Sequence, residues 1–298
     1  MKIYAHHDAD GVTSGVLIFR ALQAAGIEPE GVIFPEEFGH SEDWEEGDVM
    51  VDMKPIDPNI IGTVYDHHPD HPEERKYSLV WGDVPASLVV YREHQKLIPE
   101  EESWKVVVGL AGDGQPERTP AEIWQRFPEL TLTVLSEYYN KTYHTPLFSI
   151  LSSLINAPCR LNTPETSFHI LMQAKSPLDI LNNSTLQEKR KTISKITKNA
   201  RSEGVISVLP KNIVLLAFES MYGIQGRLAS ALASEHHTAI ALNEYNGNFS
   251  VRGALANLIR QILEKYPEDF HVGGHEGFLG GKVLTDPKQL SKVLVKEL

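Results

Sequence analysis

Short apolar runs alternate along the chain with stretches whose apolar positions recur at helical spacing. Ile3-Tyr4-Ala5, Gly31-Val32-Ile33-Phe34, Val49-Met50-Val51 and Thr63-Val64-Tyr65 are compact runs bounded by polar residues or glycine, the pattern of strands buried on both faces. Val16, Leu17, Phe19, Leu22 and Ala25 keep helical spacing and Gly26 follows, so a helix is predicted over 12–25. Strand, helix, strand implies a parallel sheet with a right-handed crossover. Further helices are predicted over 86–94 and 101–110. Pro128, Pro146, Pro158, Pro164 and Pro177 then divide 119–181 into what reads as several short helices carrying no chemistry.

A second alternating pattern begins near Val205. Strands are predicted over 213–218, 238–242 and 249–252 and helices over 226–234 and 254–266, with Asn246-Gly247 a tight hairpin signal. Between the halves, 185–203 is rich in Lys189, Arg190, Lys191, Lys195, Lys198 and Arg201 and reads as an exposed connecting helix. That face is either solvated or an electrostatic approach for an anionic substrate. The expected organisation is a domain over 1–184, a connecting helix over 185–204 and a smaller domain over 205–298.

Chemistry gathers where the first strands end. The first run passes into His6-His7-Asp8-Ala9-Asp10-Gly11, the third ends in Asp52, the fourth in Asp66-His67-His68, and a later apolar stretch ends in Asp113. In open α/β sheets the carboxyl ends of the strands are where ligands sit. His6, Asp8 and Asp10 converge if the chain turns after them, with Gly11 supplying the turn. Oxygen and imidazole donors suit Mn²⁺, Mg²⁺, Fe²⁺ or Zn²⁺; the other reading is that Asp8 and Asp10 cap the next helix and His6 is packed. Asp83 reads as the start of a helix. The acidic stretch from Glu36 and Glu37 through His40, Glu42, Asp43, Glu45 and Glu46 reads as a solvated loop. Tyr138-Tyr139, His144 and His169 read as structural.

His6-x-Asp8-x-Asp10-Gly11, Asp52, Asp66-His67-His68 and Asp113, in this order, resemble the four motifs of the DHH phosphoesterase superfamily, RecJ-like group. The resemblance implies an α/β fold: a mainly parallel N-terminal DHH domain and a smaller α/β DHH-associated domain, with the active site in the cleft between them. It further implies two divalent cations, with Mn²⁺ the expected ion, about 3.5–4 Å apart and sharing a water that attacks phosphorus. By carry-over, His6, Asp8 and Asp52 hold one ion; Asp10, Asp52, His67 and Asp113 hold the other. Asp66 orients a neighbouring histidine, and His68 contacts the transferred phosphoryl group or protonates the departing oxygen.

Towards the end, His271-Val272-Gly273-Gly274-His275-Glu276-Gly277-Phe278-Leu279-Gly280-Gly281 has backbone freedom enough for N–H groups to converge on an anion. With Ser250-Val251-Arg252 it resembles the substrate-gripping motif of the DHH-associated domain. Arg252, Gly273, Gly274 and His275 are then the expected phosphate-binding residues. Val272 replaces one glycine of that motif and Phe278 a small residue. A plain glycine-rich turn before the last helix is the other reading.

Composition narrows the substrate. At 298 residues and 41% hydrophobic the chain can bury two cores, and its single cysteine excludes an internal disulfide and thiolate-rich zinc sites. No apolar run approaches the roughly 20 residues that span a bilayer, so a cytoplasmic protein without membrane partners is expected. A net charge of −12 argues against a broad grip on duplex DNA and favours a short oligonucleotide or nucleotide phosphate. The expected activity is a two-metal phosphodiesterase or exonuclease on such pieces. Pyrophosphatase or exopolyphosphatase activity is the alternative, and a non-catalytic nucleotide-binding scaffold a second. Oligomeric state is left open, a homodimer included.

Overall fold

The computed structural model describes residues 1–35, 44–69, 71–138, 141–275 and 277–298. Glu36, Glu37, His40, Glu42, Asp43, Tyr139 and the side chain of His275 lie outside the described residues. The chain divides into two compact units, Met1–Lys191 and Thr192–Leu298.

In the first unit, β1 (Lys2–Ala5), β2 (Gly31–Ile33), β3 (Asp48–Val51), β4 (Gly62–Asp66) and β5 (Ser78–Trp81) form an all-parallel sheet in the order β2-β1-β3-β4-β5. The period of two along each strand divides the core. Ile3, Ala5, Val49, Val51 and Tyr65 face a large cluster, while Tyr4, Met50 and Val64 join Met53 and Tyr77 in a smaller one. The large cluster is completed by α1 (Ala9–Ala24), α2 (Ala86–His94), α3 (Trp104–Gly112), α5 (Leu147–Arg160) and α6 (Pro164–Gln173). Each aliphatic side chain buried there, such as Val16 or Leu17, contributes about 1.5–3 kcal/mol. The strand order reverses between β1 and β3, so the carboxyl ends of those two strands open on a topological switch point.

Several expectations are corrected. The first helix starts at Ala9, three positions before the predicted start, because Asp8 caps it; Asp10 and Gly11 are therefore helical and Gly11 makes no turn. The third helix begins only at Trp104. Residues 119–181 contain, besides α4 (Ala121–Arg126) and α7 (Pro177–Leu181), a hairpin of β6 (Thr133–Tyr138) and β7 (Lys141–Pro146). Pro158 does not separate helices; it is carried in the last turn of α5.

The basic helix, α8 (Ser184–Glu203), is not simply an exposed connector. Leu186, Ile193 and Ala200, seven residues apart, are buried along it, and the boundary between the two units falls within it. Lys189 donates to Thr163 Oγ1 at 3.0 Å, Arg190 to Ser153 Oγ at 3.2 Å, and Arg201 pairs with Glu235 at 2.7 Å. Those three cations are tied to the fold instead of lining a free basic face.

The second unit is a six-stranded sheet ordered β12-β13-β11-β10-β9-β8, made of β8 (Val205–Leu209), β9 (Ile213–Phe218), β10 (Thr238–Asn243), β11 (Asn248–Gly253), β12 (Phe270–His275) and β13 (Phe278–Val283). Strands β9 and β10 are parallel and the other pairs antiparallel. The helices are α9 (Gln225–Ala233), α10 (Ala256–Leu263) and α11 (Gln289–Glu297), with Ile259, Ile262, Leu290 and Leu294 in the core. The glycine-rich stretch is a strand hairpin: Gly273 pairs with Gly280 and Gly274 with Leu279, with β12 at the sheet edge.

Candidate metal centre

His6 follows β1 directly, and its main-chain N–H donates to Val51 O, locking the end of β1 to β3. Asp8, at the N-cap of α1, divides its carboxylate between two tasks. Oδ1 accepts the Gly11 N–H at 3.0 Å, while Oδ2 stands 3.0 Å from His6 Nδ1. Capping and facing the site are thus compatible. A Cβ on Gly11 would overlap the His6 carbonyl, so glycine is required there by close approach. The N–H of Ala9 is met by Asn156 Oδ1 from α5 at 3.0 Å.

Asp52, the residue after β3, lies in the left-handed region, φ 59°, a conformation that costs a non-glycine residue energy and that the Asp52 N–H bond to Tyr65 O helps to hold. Its carboxylate is divided as well: Oδ2 lies 3.3 Å from His6 Nδ1 and Oδ1 lies 3.2 Å from His67 Nε2. That same His67 nitrogen is 3.3 Å from Asp113 Oδ2, delivered by the C-cap of α3. Asp10 completes the second group. Its two oxygens accept the Ala86 and Ser87 N–H groups at the start of α2, at 2.6 and 3.1 Å, and a Cβ on Gly109 would stand 2.7 Å from Asp10 Oδ1.

Two sets result, His6 with Asp8 and Asp52, and Asp10 with His67 and Asp113, the ligand atoms of each set lying within 4.8 Å of one another. Asp52 also groups with Asp66, His67 and His68. All six residues expected to hold ions are therefore brought together, with Asp52 between the sets. Asp66, fully buried, accepts the His67 N–H at 2.8 Å and His68 Nδ1 at 2.7 Å on one oxygen, and His71 Nε2 at 2.9 Å on the other. His71, Asn156 and the Ala86 and Ser87 amides went unpredicted.

Electrostatics explains what such a cluster requires. Burial, then the charges of Asp52 and Asp8, pushes the Asp10 carboxyl up to about 7, and burial with the Asp10 and Asp52 charges holds Asp113 well above the usual range. Burial works against charge on His67, but the Asp52 hydrogen bond and the surrounding carboxylates carry it up to about 10. His6 is raised well above its ordinary value in the same way, Asp8 and Asp52 outweighing burial. Protons stand in for cations, and a set of oxygen and imidazole donors with four carboxylates fits divalent ions.

A stability test follows. Where the folded value is raised, the native state holds more protons than the unfolded chain, so stability declines as pH rises, between about 4 and 7 for Asp10 and between about 6.5 and 10 for His67. Metal-free protein should lose thermal stability from pH 6 to pH 9, and the increase in Tm on adding Mn²⁺ should grow over that range. Differential scanning calorimetry at several pH values reads it. A Tm gain that shrinks as pH rises would contradict the proton–cation exchange.

In the second unit, Arg252 of β11 donates from Nη1 to Ser250 Oγ at 2.6 Å and Val251 O at 2.8 Å, and its guanidinium lies 4.8 Å from the exposed Phe278 ring. Burial pushes it down to about 10, its Nε is buried without a partner, and among the described residues no carboxylate pairs with it. Gly273 and Gly274 are ladder residues in the edge strand β12.

No protein-family profile matches the chain, and no curated protein matches it. Solved structures do. Exonuclease RecJ bound to manganese superposes over 98% of this chain and 87% of its own at 16% identity, TM-score 0.63. RecJ from Thermus thermophilus in complex with Mn²⁺ gives TM-score 0.71 at 16% identity, covering 99% of this chain, which spans about half of that protein's length (51%). The DHH domain of a member of the s1p family of ribosomal proteins gives 0.66 at 14% identity over 99% of this chain and 85% of its own. The chain shares the fold of these RecJ and DHH-domain structures. Among the described residues, no helix is long and apolar enough to cross a membrane.

Proposed function

We propose that the protein is a divalent-metal-dependent phosphoesterase that hydrolyses phosphodiester or terminal phosphate bonds of short oligonucleotides or related nucleotides. The observation that carries this reading is Asp52, whose two oxygens are turned to two different histidines, each belonging to a separate ligand set. His6, Asp8 and Asp52 would hold one ion and Asp10, Asp52, His67 and Asp113 the other. Bound there, the ions would supply positive charge to activate a water and to neutralise the phosphoryl oxygens.

The chain's own residues do the rest. Amides at the start of α2 keep Asp10 in place without bringing a cationic side chain to it. His68, half-buried and bonded to Asp66 through Nδ1, turns Nε2 away from Asp66 to contact the phosphoryl group or protonate the departing oxygen. Arg252, with no acidic partner among the described residues, suits a phosphate of the substrate. A net charge of −12 disfavours long polymers.

The test is an activity panel in Mn²⁺: 5′-phosphorylated RNA and DNA oligomers of two to five nucleotides, a 3′,5′-dinucleotide, pyrophosphate and polyphosphate. Turnover of the short oligomers, abolished by EDTA, is expected. Hydrolysis of pyrophosphate or polyphosphate alone would replace the nucleotide reading, and no hydrolysis of any member would remove the enzyme.

A further inference from the structure

Asp66 is held from two sides, and only one of them belongs to the Asp-His-His triplet. The His71 side chain, only 4% exposed, places Nε2 2.9 Å from Asp66 Oδ2 and Nδ1 2.8 Å from the hydroxyl of the buried Tyr77. The proton positions follow from the acceptors. Ionised Asp66 only accepts, so His71 carries a proton on Nε2, and its Nδ1 shares a hydrogen bond with the Tyr77 hydroxyl. The opposite oxygen of Asp66 takes the His67 N–H and His68 Nδ1. Three donors are thus spread over the two oxygens of Asp66, which fixes the plane of its carboxylate. His68 is tied at its backbone too, its carbonyl accepting the Trp81 indole N–H at 3.0 Å.

We propose that His71 is a positioning residue for the departing-group step: anchored by Tyr77, it fixes the Asp66 carboxylate so that His68 keeps its proton on Nδ1 and presents Nε2 to the substrate. The inference rests on His68 acting as the acid of the proposed phosphoesterase. As the P–O bond breaks, its electron pair stays on the departing oxygen, which takes the proton from His68 Nε2. Asp66 stabilises the imidazolium beforehand, and His71 exchanges no proton. Removing His71 frees one carboxylate oxygen, lets the group rotate and loosens the ring bonded to the other.

Leaving-group dependence separates this role from general support of the fold. On a dinucleotide, whose departing sugar oxygen needs a proton, His71→Ala should lower kcat about 10–100-fold with KM little changed. On the p-nitrophenyl ester of thymidine 5′-monophosphate, whose nitrophenolate leaves unaided, the loss should be under about 3-fold. His71→Gln, which keeps an N–H donor, should recover most of the loss, and Tyr77→Phe should fall between. Equal losses on both substrates, or none on either, would overturn the proposal. An activity-independent readout is the ¹⁵N shifts of the His68 ring in metal-free protein at a pH where it is neutral. Wild type should hold the proton on Nδ1, and His71→Ala and Tyr77→Phe should show mixed tautomers; an unchanged ring in both variants overturns it. Should wild type hydrolyse neither ester, the phosphoesterase reading falls, while the ring shifts still decide whether His71 positions His68.

Discussion

Asp52→Asn should reduce turnover by roughly 10⁴-fold or more while the fold persists, the scale expected when one member of a catalytic unit is removed. Asparagine keeps the size of the side chain and tolerates the left-handed backbone at φ 59°, so the strain is not increased. What is lost is the charge shared between His6 and His67. In the proposed arrangement Asp52 serves both ligand sets, so divalent ions should bind the variant more weakly. In metal-free protein the same change relieves the repulsion that raises Asp10 and Asp113, so its stability at pH 8 should not collapse. Single-turnover kinetics, thermal melts and metal analysis on one preparation separate these effects. Wild-type turnover in the variant would remove Asp52 from the centre of the mechanism.

Arg252→Ala should act differently, raising KM about 10–100-fold and leaving kcat within a few-fold, since charge-assisted hydrogen bonds to a phosphate are worth about 1.5–3 kcal/mol. The arginine is partly buried, lacks an acidic partner among the described residues, and stacks on Phe278. Arg252→Lys should not restore binding, because lysine has neither the planar fork nor the stacking surface. Steady-state kinetics on a short oligomer reads the split. An equal fall in kcat for the Asp52 and Arg252 variants would argue against separate chemical and gripping roles.

How much of this was legible depends on how local each signal is. Ligand-type residues directly after short apolar runs could be read because a parallel sheet brings the ends of its strands to one edge, and the order β2-β1-β3 puts His6 and Asp52 on the switch point. Asp113 required more: its partner His67 is reached only once α3 packs beside α1 and α2. Support residues left no local mark. Asn156 meets Ala9 across 147 positions and the α2 amides meet Asp10 across about 76, and neither spacing forms a pattern. His71 looked like part of a proline turn because its partner Tyr77 is fixed by the fold.

Two misreadings have a common origin in residue propensity. Glycines at 273, 274, 280 and 281 carry no side chain by which strand alternation could be seen, so the ladder left no strand signal. Prolines suggested breaks between helices over 119–181, whereas Pro146 closes a strand, Pro158 sits within a helix, and Thr133, Val134, Thr142, Tyr143 and Thr145 favour the hairpin they form. The two readings weighed for Asp8, cap or ligand, turned out not to exclude each other, because a carboxylate has two oxygens and the structure uses each for one purpose.

Crystals grown or soaked in Mn²⁺ and measured at the manganese edge address the shared-carboxylate arrangement most directly. Two anomalous peaks are expected, one touching His6, Asp8 and Asp52 and the other Asp10, Asp52, His67 and Asp113. A single peak, or peaks that leave Asp52 without a metal contact, would contradict it.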